Sequence, residues 1–170
     1  RRWTYRTKHE GEFPISAVWV NLLGATTPEL LRTSLPPTAI GGGLTSRMMF
    51  IYAAAKRRTI PNPFITPTEQ KLEEDLLYDL EQIVRLNGEY YATNEYIQLR
   101  DEWYTYNDVH PPFQDAILAS YCDRRIATVS KLSIIMCAAR TDELIIREQD
   151  FVRAVEFIEN AEELMPMALT

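Results

Sequence analysis

The sequence has few of the residues that build metal centres or disulfide frameworks, and it has no long apolar run. Its 170 residues include two cysteines, Cys122 and Cys137, and two histidines, His9 and His110. Neither type has the spacing of a zinc site, so we expect no bound metal and interpret the cysteines as packed, reduced thiols. No apolar run approaches the roughly 18 residues needed to cross a bilayer. We therefore expect no membrane partner and a cytoplasmic location.

The sequence also lacks an excess of basic residues. It has 24 acidic and 18 basic side chains, a net charge of −6. A surface that is basic all over is excluded, so any binding to nucleic acid would use a local patch. With 46% hydrophobic and 25% charged residues, the composition is typical of one folded domain, with or without an appendage.

Two further absences concern catalysis. The chain has no GxxxxGK[ST] phosphate-binding loop. We also identify no catalytic triad and no paired-carboxylate site, since each needs several convergent polar groups. The sequence therefore contains no self-contained active site.

The N-terminal third is rich in aromatic, β-branched and other apolar residues. We predict strands over "RRWTYRTK", "AVWVNLLG" and "RMMFIYA", with a short helix from Pro28 capped by Thr27. The apolar run in "ISAVWVNLLGA" is typical of a strand buried on both faces, which favours a parallel sheet. So few strands make a partial sheet, and together with a first residue other than Met this leads us to expect a fragment of a longer protein.

The remainder of the chain has helical periodicity. We predict an α/β to α+β fold that is mostly helical, with a strand-rich unit at residues 1–60, a proline-rich linker at 61–67 and a bundle of four or five helices at 68–170. Thr68 with Glu69 would open the first of these helices, Gly88 would end it, and Thr93 would cap the next. The expected core positions on helical stripes are Tyr96, Leu99, Trp103, Tyr106, Ile126, Val129, Leu132, Ile135 and Met136.

Two short stretches have the residue types of a phosphate site. The segment "GATTP" places Thr26 and Thr27 after a predicted buried strand, where hydroxyls in open α/β folds orient a water or contact a phosphate. The alternative is that Thr27 only caps the next helix. In "GGGLTSR" the glycines permit a close backbone approach, and Arg47 directly precedes a predicted strand. The alternative is a loop that ends in a salt-bridged arginine.

A basic run and a set of aromatic residues are candidates for contact with nucleic acid. Lys56, Arg57 and Arg58 could contact a DNA backbone, or they could belong to a solvated loop. Six aromatic residues in the helical part could stack on bases, although their helical spacing favours a place in the core. They are Tyr90, Tyr91, Tyr96, Trp103, Tyr104 and Tyr106.

The order of these elements resembles the second half of the ATPase module of phage and plasmid replicative helicases or primase-helicases, in the RecA-like and AAA+ class of P-loop ATPases. The resemblance rests on "GATTP", "GGGLTSR", the proline linker and the helical segment "RRIATVSKLSIIMCAARTDELIIREQDFVRAVEFIENAE". It implies that Thr26 or Thr27 is a sensor of the γ-phosphate, that Arg47 is an arginine finger, and that Ser46 belongs to the nucleotide site. It also implies a homo-oligomer that acts on single-stranded or duplex DNA.

This resemblance has a gap, because the Walker A lysine and the Walker B carboxylate have no counterpart in the chain. It therefore implies that ATP and Mg²⁺ bind only in a longer parent protein, in a bacterial host cytoplasm, and not to this chain alone. A packaging ATPase is a further possibility within the same class. The alternative of a different class is a non-catalytic helical binding or assembly module, with the N-terminal strands as its interface.

Overall fold

The computed structural model describes residues 2–7, 11–16, 20–36, 39 and 43–169. In chain order the elements are β1 (Arg2–Thr7), β2 (Gly11–Ser16), α1 (Pro28–Ser34), a 3-10 helix (Thr45–Arg47), α2 (Pro67–Arg85), β3 (Tyr91–Ala92), α3 (Asn94–Val109), α4 (Ala116–Cys122), α5 (Arg125–Ala138), β4 (Ile145–Ile146), α6 (Glu148–Glu162) and α7 (Pro166–Leu169). The fold is mostly helical α+β, which confirms the predicted class. The division into units at residues 60 and 67 stays a prediction.

The strand prediction for the N-terminal third is only partly correct. β1 is a strand as predicted, but it pairs with β2 in an antiparallel hairpin, with Arg2 opposite Ser16 and Thr7 opposite Gly11. Gly11 has φ +83°, in the left-handed region that favours glycine. The only parallel pair in the described part of the chain lies elsewhere, between β3 and β4. The prediction of an N-terminal parallel sheet is therefore wrong.

The other two predicted strands are also wrong where the structure describes them. Residues 17–19 of "AVWVNLLG" lie outside the described residues, and residues 20–27 have no regular structure, with Leu23 almost fully exposed. The segment "RMMFIYA" is a 3-10 turn at Arg47 followed by irregular backbone. Met49 and Phe50 nevertheless pack against the core. The apolar residues of this segment are thus explained by side-chain packing against the core. No described strand lies beside the segment to form a sheet with it.

The core lies within the helices from α3 onward. α5 packs against α6, and α3 packs against α6. The parallel pair β3–β4 precedes α3 and α6 directly, with Tyr91 opposite Ile145, so it sets the two helix starts side by side. Phe151 of α6 meets Tyr96 and Trp103 of α3 edge to face, at ring-centroid distances of 5.6 and 5.8 Å. Such aromatic pairs add to the stabilisation from burial.

Several predicted helical features are confirmed and others need correction. Thr93 caps α3 by accepting a hydrogen bond from the backbone N–H of Tyr96, as predicted. Six helices follow residue 66 in the described chain, including the single turn α7, where four or five were predicted. Two predicted core residues are more than half exposed, namely Tyr106 and Ile135. On α5 the buried line runs instead through Arg125, Val129, Ser133 and Cys137.

The N-terminal third also contacts the helical bundle. α1 packs against α7, and the 3-10 helix packs against α4. α2 has no such packing. It makes no extensive contact with any other described element. The chain therefore combines a packed bundle with one long helix that stands apart from it.

Candidate interaction surface

The two threonines of "GATTP" lie at the start of α1. Thr27 is its N-cap, with Oγ1 accepting a hydrogen bond of 3.3 Å from the backbone N–H of Leu30. Thr26 is exposed in the irregular segment before it. The capping alternative for Thr27 is confirmed, whereas the sensor role of either residue stays a prediction. Within the described residues, no hydrogen bond joins either threonine to Arg47.

Arg47 points back at its own turn. Its guanidinium donates to the backbone carbonyl oxygen of Gly43. The hydroxyl of Ser46, which is buried, donates to the same carbonyl at 3.2 Å. Thr45 is also buried, and its hydroxyl donates to the carbonyl of Ala39 at 3.1 Å. Arg47 itself is exposed, so a buried Thr-Ser pair anchors a turn that presents an arginine at the surface.

The basic run and the aromatic set divide between surface and core. Lys56, Arg57 and Arg58 are all exposed, on a segment without helix or strand. Tyr96 is buried, and Tyr90 and Trp103 pack against the core, so the core interpretation is confirmed for these three. Tyr91, Tyr104 and Tyr106 are exposed, and Tyr106 stacks on His110 at a centroid distance of 4.6 Å.

The most unusual surface of the molecule is α2. No residue of this 19-residue helix, all of which the structure describes, is buried. At 100° per residue, one face carries a continuous apolar stripe. We define the α2 stripe as Leu72, Leu76, Leu77, Leu80, Ile83 and Val84. The four leucines are each more than half exposed and Val84 is 85% exposed.

Acidic residues lie along both edges of the α2 stripe. On the helical wheel Asp75 and Asp79 lie on one edge, and Glu74 and Glu81 lie on the other, whereas Glu69 and Glu73 fall within the arc of the stripe at its N-terminal end. The whole helix has six acidic and two basic residues, a net charge of −4. One of the basic residues, Lys71, is paired with Asp75 at 3.4 Å. The stripe is therefore an apolar surface with acidic borders.

Local interactions define where α2 begins. Thr66 is the N-cap, and its hydroxyl accepts from the backbone N–H of Glu69 at 3.2 Å. Glu69 in turn accepts from the backbone N–H of Thr66 at 2.8 Å, which completes a capping box. These hydrogen bonds from Thr66 lower the pKa of Glu69. The predicted helix start at Thr68 is thus one residue late, and the helix ends at Arg85, before Gly88.

The bundle also holds an ion pair that sequence reasoning missed. Arg125 and Glu162, both buried, form two hydrogen bonds of 2.6 Å. Tyr121 donates to Glu162 at 2.8 Å, Asn107 accepts from Arg125, and the guanidinium lies 4.7 Å from the ring centroid of Trp103. Burial, and then the charge of Glu162, raise the pKa of Tyr121. Asn107 and Trp103 lie on α3, and Tyr121, Arg125 and Glu162 lie on α4, α5 and α6, so this network ties four helices together.

A second ion pair fixes the start of α6. Asp150 is fully buried and accepts two hydrogen bonds from Arg140, at 2.7 and 2.9 Å, and one from the backbone N–H of Arg147 at 2.9 Å. Burial alone would raise the pKa of Asp150, but the hydrogen bonds from Arg140 and Arg147 outweigh it and the pKa lies below its ordinary value.

One signal in the sequence could have identified these charges. Glu162 continues the buried line of α6, four residues after Ile158, and Arg125 lies four residues before Val129 on the buried line of α5. A charge in register with an apolar stripe requires a buried partner. The stripe assigned to α5 from sequence begins at Ile126, one position after Arg125, although it shares Val129 with the buried line.

The remaining chemistry of the described residues is sparse. Cys122 and Cys137 are free thiols, and burial raises the pKa of each. Within the parts that the structure describes, no group of three or more His, Cys, Asp or Glu side chains is arranged to hold a metal ion. None of the described helices is long and apolar enough to cross a membrane.

Comparison with known proteins gives no relative. No family model matches the sequence, and no similar curated protein or solved structure was found. Arguments about function therefore rest on the residues and surfaces of this chain.

Proposed function

We propose that this chain is a helical binding and assembly module that takes up a protein partner through the α2 stripe. The observation that carries the proposal is the contrast between two parts of one molecule. The bundle buries its own apolar residues, such as Val129 and Ile158, completely. The longest helix leaves its apolar face more than half exposed at every leucine. Contiguous exposed apolar surface with a polar border is typical of a protein interaction site.

The free energies of burial and of association favour a partner that contributes more than apolar contact. Burying the exposed parts of the α2 stripe would contribute on the order of 5 kcal/mol, at about 1.5–3 kcal/mol per fully buried side chain. Association costs at least about 4 kcal/mol in lost translation and rotation. The two nearly cancel, so stable docking also requires charge complementarity with the acidic borders.

The experiment compares apolar-to-acidic substitutions on α2 and in the bundle. We expect Leu76→Asp with Leu80→Asp to leave the thermal unfolding midpoint of the bundle almost unchanged, because neither side chain belongs to its core. The matched control, Val129→Asp, places the same carboxylate in the core and should unfold the protein. Circular dichroism during heating, at concentrations too low for self-association, measures both.

A large loss of stability in the α2 variant would contradict the proposal. It would mean that the stripe packs inside the chain's own fold and is not a surface for a partner.

The second candidate is the motor suggested by the resemblance above. It is the C-terminal portion of an ATP-driven helicase or primase-helicase in a bacterial host cytoplasm, with Arg47 reaching a neighbour's ATP, Ser46 beside the nucleotide, and Lys56, Arg57 and Arg58 on DNA. One observation favours it: Arg47 is exposed on a 3-10 helix that buried Thr45 and Ser46 anchor. An arginine finger requires a rigid backbone support of this kind, because its guanidinium has to reach a fixed point across a subunit interface.

In the longer protein that this hypothesis requires, Arg47→Ala should reduce ATP turnover by about 10³-fold or more while nucleotide affinity stays the same. Arg32→Ala, which removes another exposed arginine of the N-terminal third, serves as the control. Steady-state hydrolysis and equilibrium nucleotide binding give the two readouts. Turnover by Arg47→Ala equal to that of the control would rule out the finger.

A further inference from the structure

The segment directly before α2 has the opposite charge and its own exposed apolar residues. We define the basic arm as residues 56–65, "KRRTIPNPFI". It carries Lys56, Arg57 and Arg58 and no acidic residue, a net charge of +3. Ile60, Phe64 and Ile65 are 52%, 81% and 73% exposed. Both surfaces thus combine exposed apolar groups with charge, and the two charges are of opposite sign.

We infer that the partner of the α2 stripe is a second copy of this chain, whose basic arm lies along the stripe while its own stripe receives the arm of the first copy. This inference rests on the proposed function and names the occupant of the same surface. A twofold interface requires each copy to offer both halves of a complementary pair. One chain here offers both.

The dimensions of the two surfaces agree. The 19 residues of α2 make a helix about 28 Å long. Fully extended as polyproline, the ten residues of the arm would span at most about 31 Å, and bends at Arg57, Pro61 and Asn62 shorten it in the structure. An arm of this length can follow the α2 stripe from end to end, with its lysine and arginines near the acidic borders.

Two other occupants fit less well. Direct pairing of α2 with α2 would place acidic borders against acidic borders, in parallel or antiparallel orientation, because both halves of the helix are acidic. In the structure the arm leaves the leucines of its own stripe exposed, although the charge of Arg58 acts on Glu69 in the first turn of α2. The capping box and Pro67 also define the direction in which the chain enters α2.

Charge exchange between the two surfaces tests the inference. One variant reverses the arm, with Lys56→Glu, Arg57→Glu and Arg58→Glu. The other reverses the borders, with Asp75→Lys, Asp79→Lys and Glu81→Lys. We expect the full-length chain to dimerise, with a dissociation constant that rises with salt. We expect each variant alone to dimerise roughly tenfold or more weakly, and an equimolar mixture to form heterodimers, because both arm–helix contacts are then between opposite charges.

Sedimentation equilibrium of the full chain, of each variant and of the mixture gives the dissociation constants. Arg124→Glu with Lys131→Glu is the control, because it reverses exposed charges outside both surfaces and should leave dimerisation unchanged. All substitutions are on exposed side chains, and the mixture shows directly that each variant is still able to bind.

Three results would overturn the inference. They are a wild-type chain that stays monomeric up to its solubility limit, a dimer that the arm reversal leaves intact, and a monomer whose arm binds a DNA oligonucleotide while α2 has no effect. In each case the proposed function stands if Leu76→Asp with Leu80→Asp leaves the bundle stable. It fails separately if that variant unfolds the bundle.

Discussion

Asp150 shows how single buried charges stabilise the bundle. Its carboxylate connects Arg140, at the end of α5, to the backbone N–H of Arg147 at the start of α6. A buried carboxylate without these donors would take up a proton or destabilise the fold. The observed hydrogen bonds therefore offset the free-energy cost of burying the carboxylate. They also link the segment after α5 to the start of α6.

This link predicts a pH dependence of stability. The pKa of Asp150 in the folded protein lies below its ordinary value, which is about 3.9 in an unfolded chain. The unfolded state thus binds the proton more readily, so the contribution of Asp150 is fully present above the unfolded pKa. It is lost as the pH falls through the folded pKa.

We expect Asp150→Asn to lower the free energy of unfolding at pH 7 by about 2–3 kcal/mol. The loss should shrink as the pH falls below about 4. Urea unfolding between neutral and acidic pH measures both effects, with the exposed Asp142→Asn as the control. Parallel stability curves for wild type and Asp150→Asn would contradict this role.

At the scale of elements, α2 differs from the other long helices in what holds it together. α3, α5 and α6 bury aromatic or aliphatic faces against each other. α2 has its capping box, Pro67 at the first position and an ion pair between Lys71 and Asp75. Most helical stability in proteins comes from tertiary packing of an amphipathic face, and none of the other described elements packs extensively on that of α2. Its local interactions therefore matter more than they would in a buried helix.

The capping box gives a test of this view. Thr66→Ala removes a cap worth about 1 kcal/mol. We expect faster amide hydrogen exchange in the first turns of α2 and no change in the unfolding midpoint of the bundle. The measurement belongs at concentrations too low for self-association.

The control for this experiment is Thr68→Ala. Thr68 lies inside the helix, where alanine has the higher helix propensity, so exchange should not accelerate. Equal exchange rates for both variants would show that Thr66 does not limit the opening of α2.

The whole molecule divides into a bundle with a complete core and an N-terminal third that is only partly engaged with it. α1 and the 3-10 helix contact α7 and α4, while the basic arm and α2 remain largely in solvent. Burial of apolar surface is the main driving force for association as it is for folding. The two complementary surfaces left exposed in one copy are the basis of the proposed assembly of copies.

Local features of the helical part could be predicted from sequence. Thr27 and Thr93 were identified as caps, and β1 and the existence of the long helices were identified from their periodicity. The 3-10 turn at Arg47, the buried face of α5 and the partners of the buried Glu162 and Asp150 could not be. The apolar run that ends at Leu23 is interpreted from sequence as buried, because its residues are apolar. The sequence does not show whether another part of the chain lies beside the run to bury it.

The sequence by itself determined the mostly helical class, two of the helix caps and the amphipathic character of α2, because these depend on interactions within a few residues. The tertiary structure alone decided that β3 pairs with β4 and which face of α5 is buried. It also decided that the α2 stripe stays uncovered. These outcomes depend on contacts between distant parts of the chain, and periodicity, which is a local property, does not specify them.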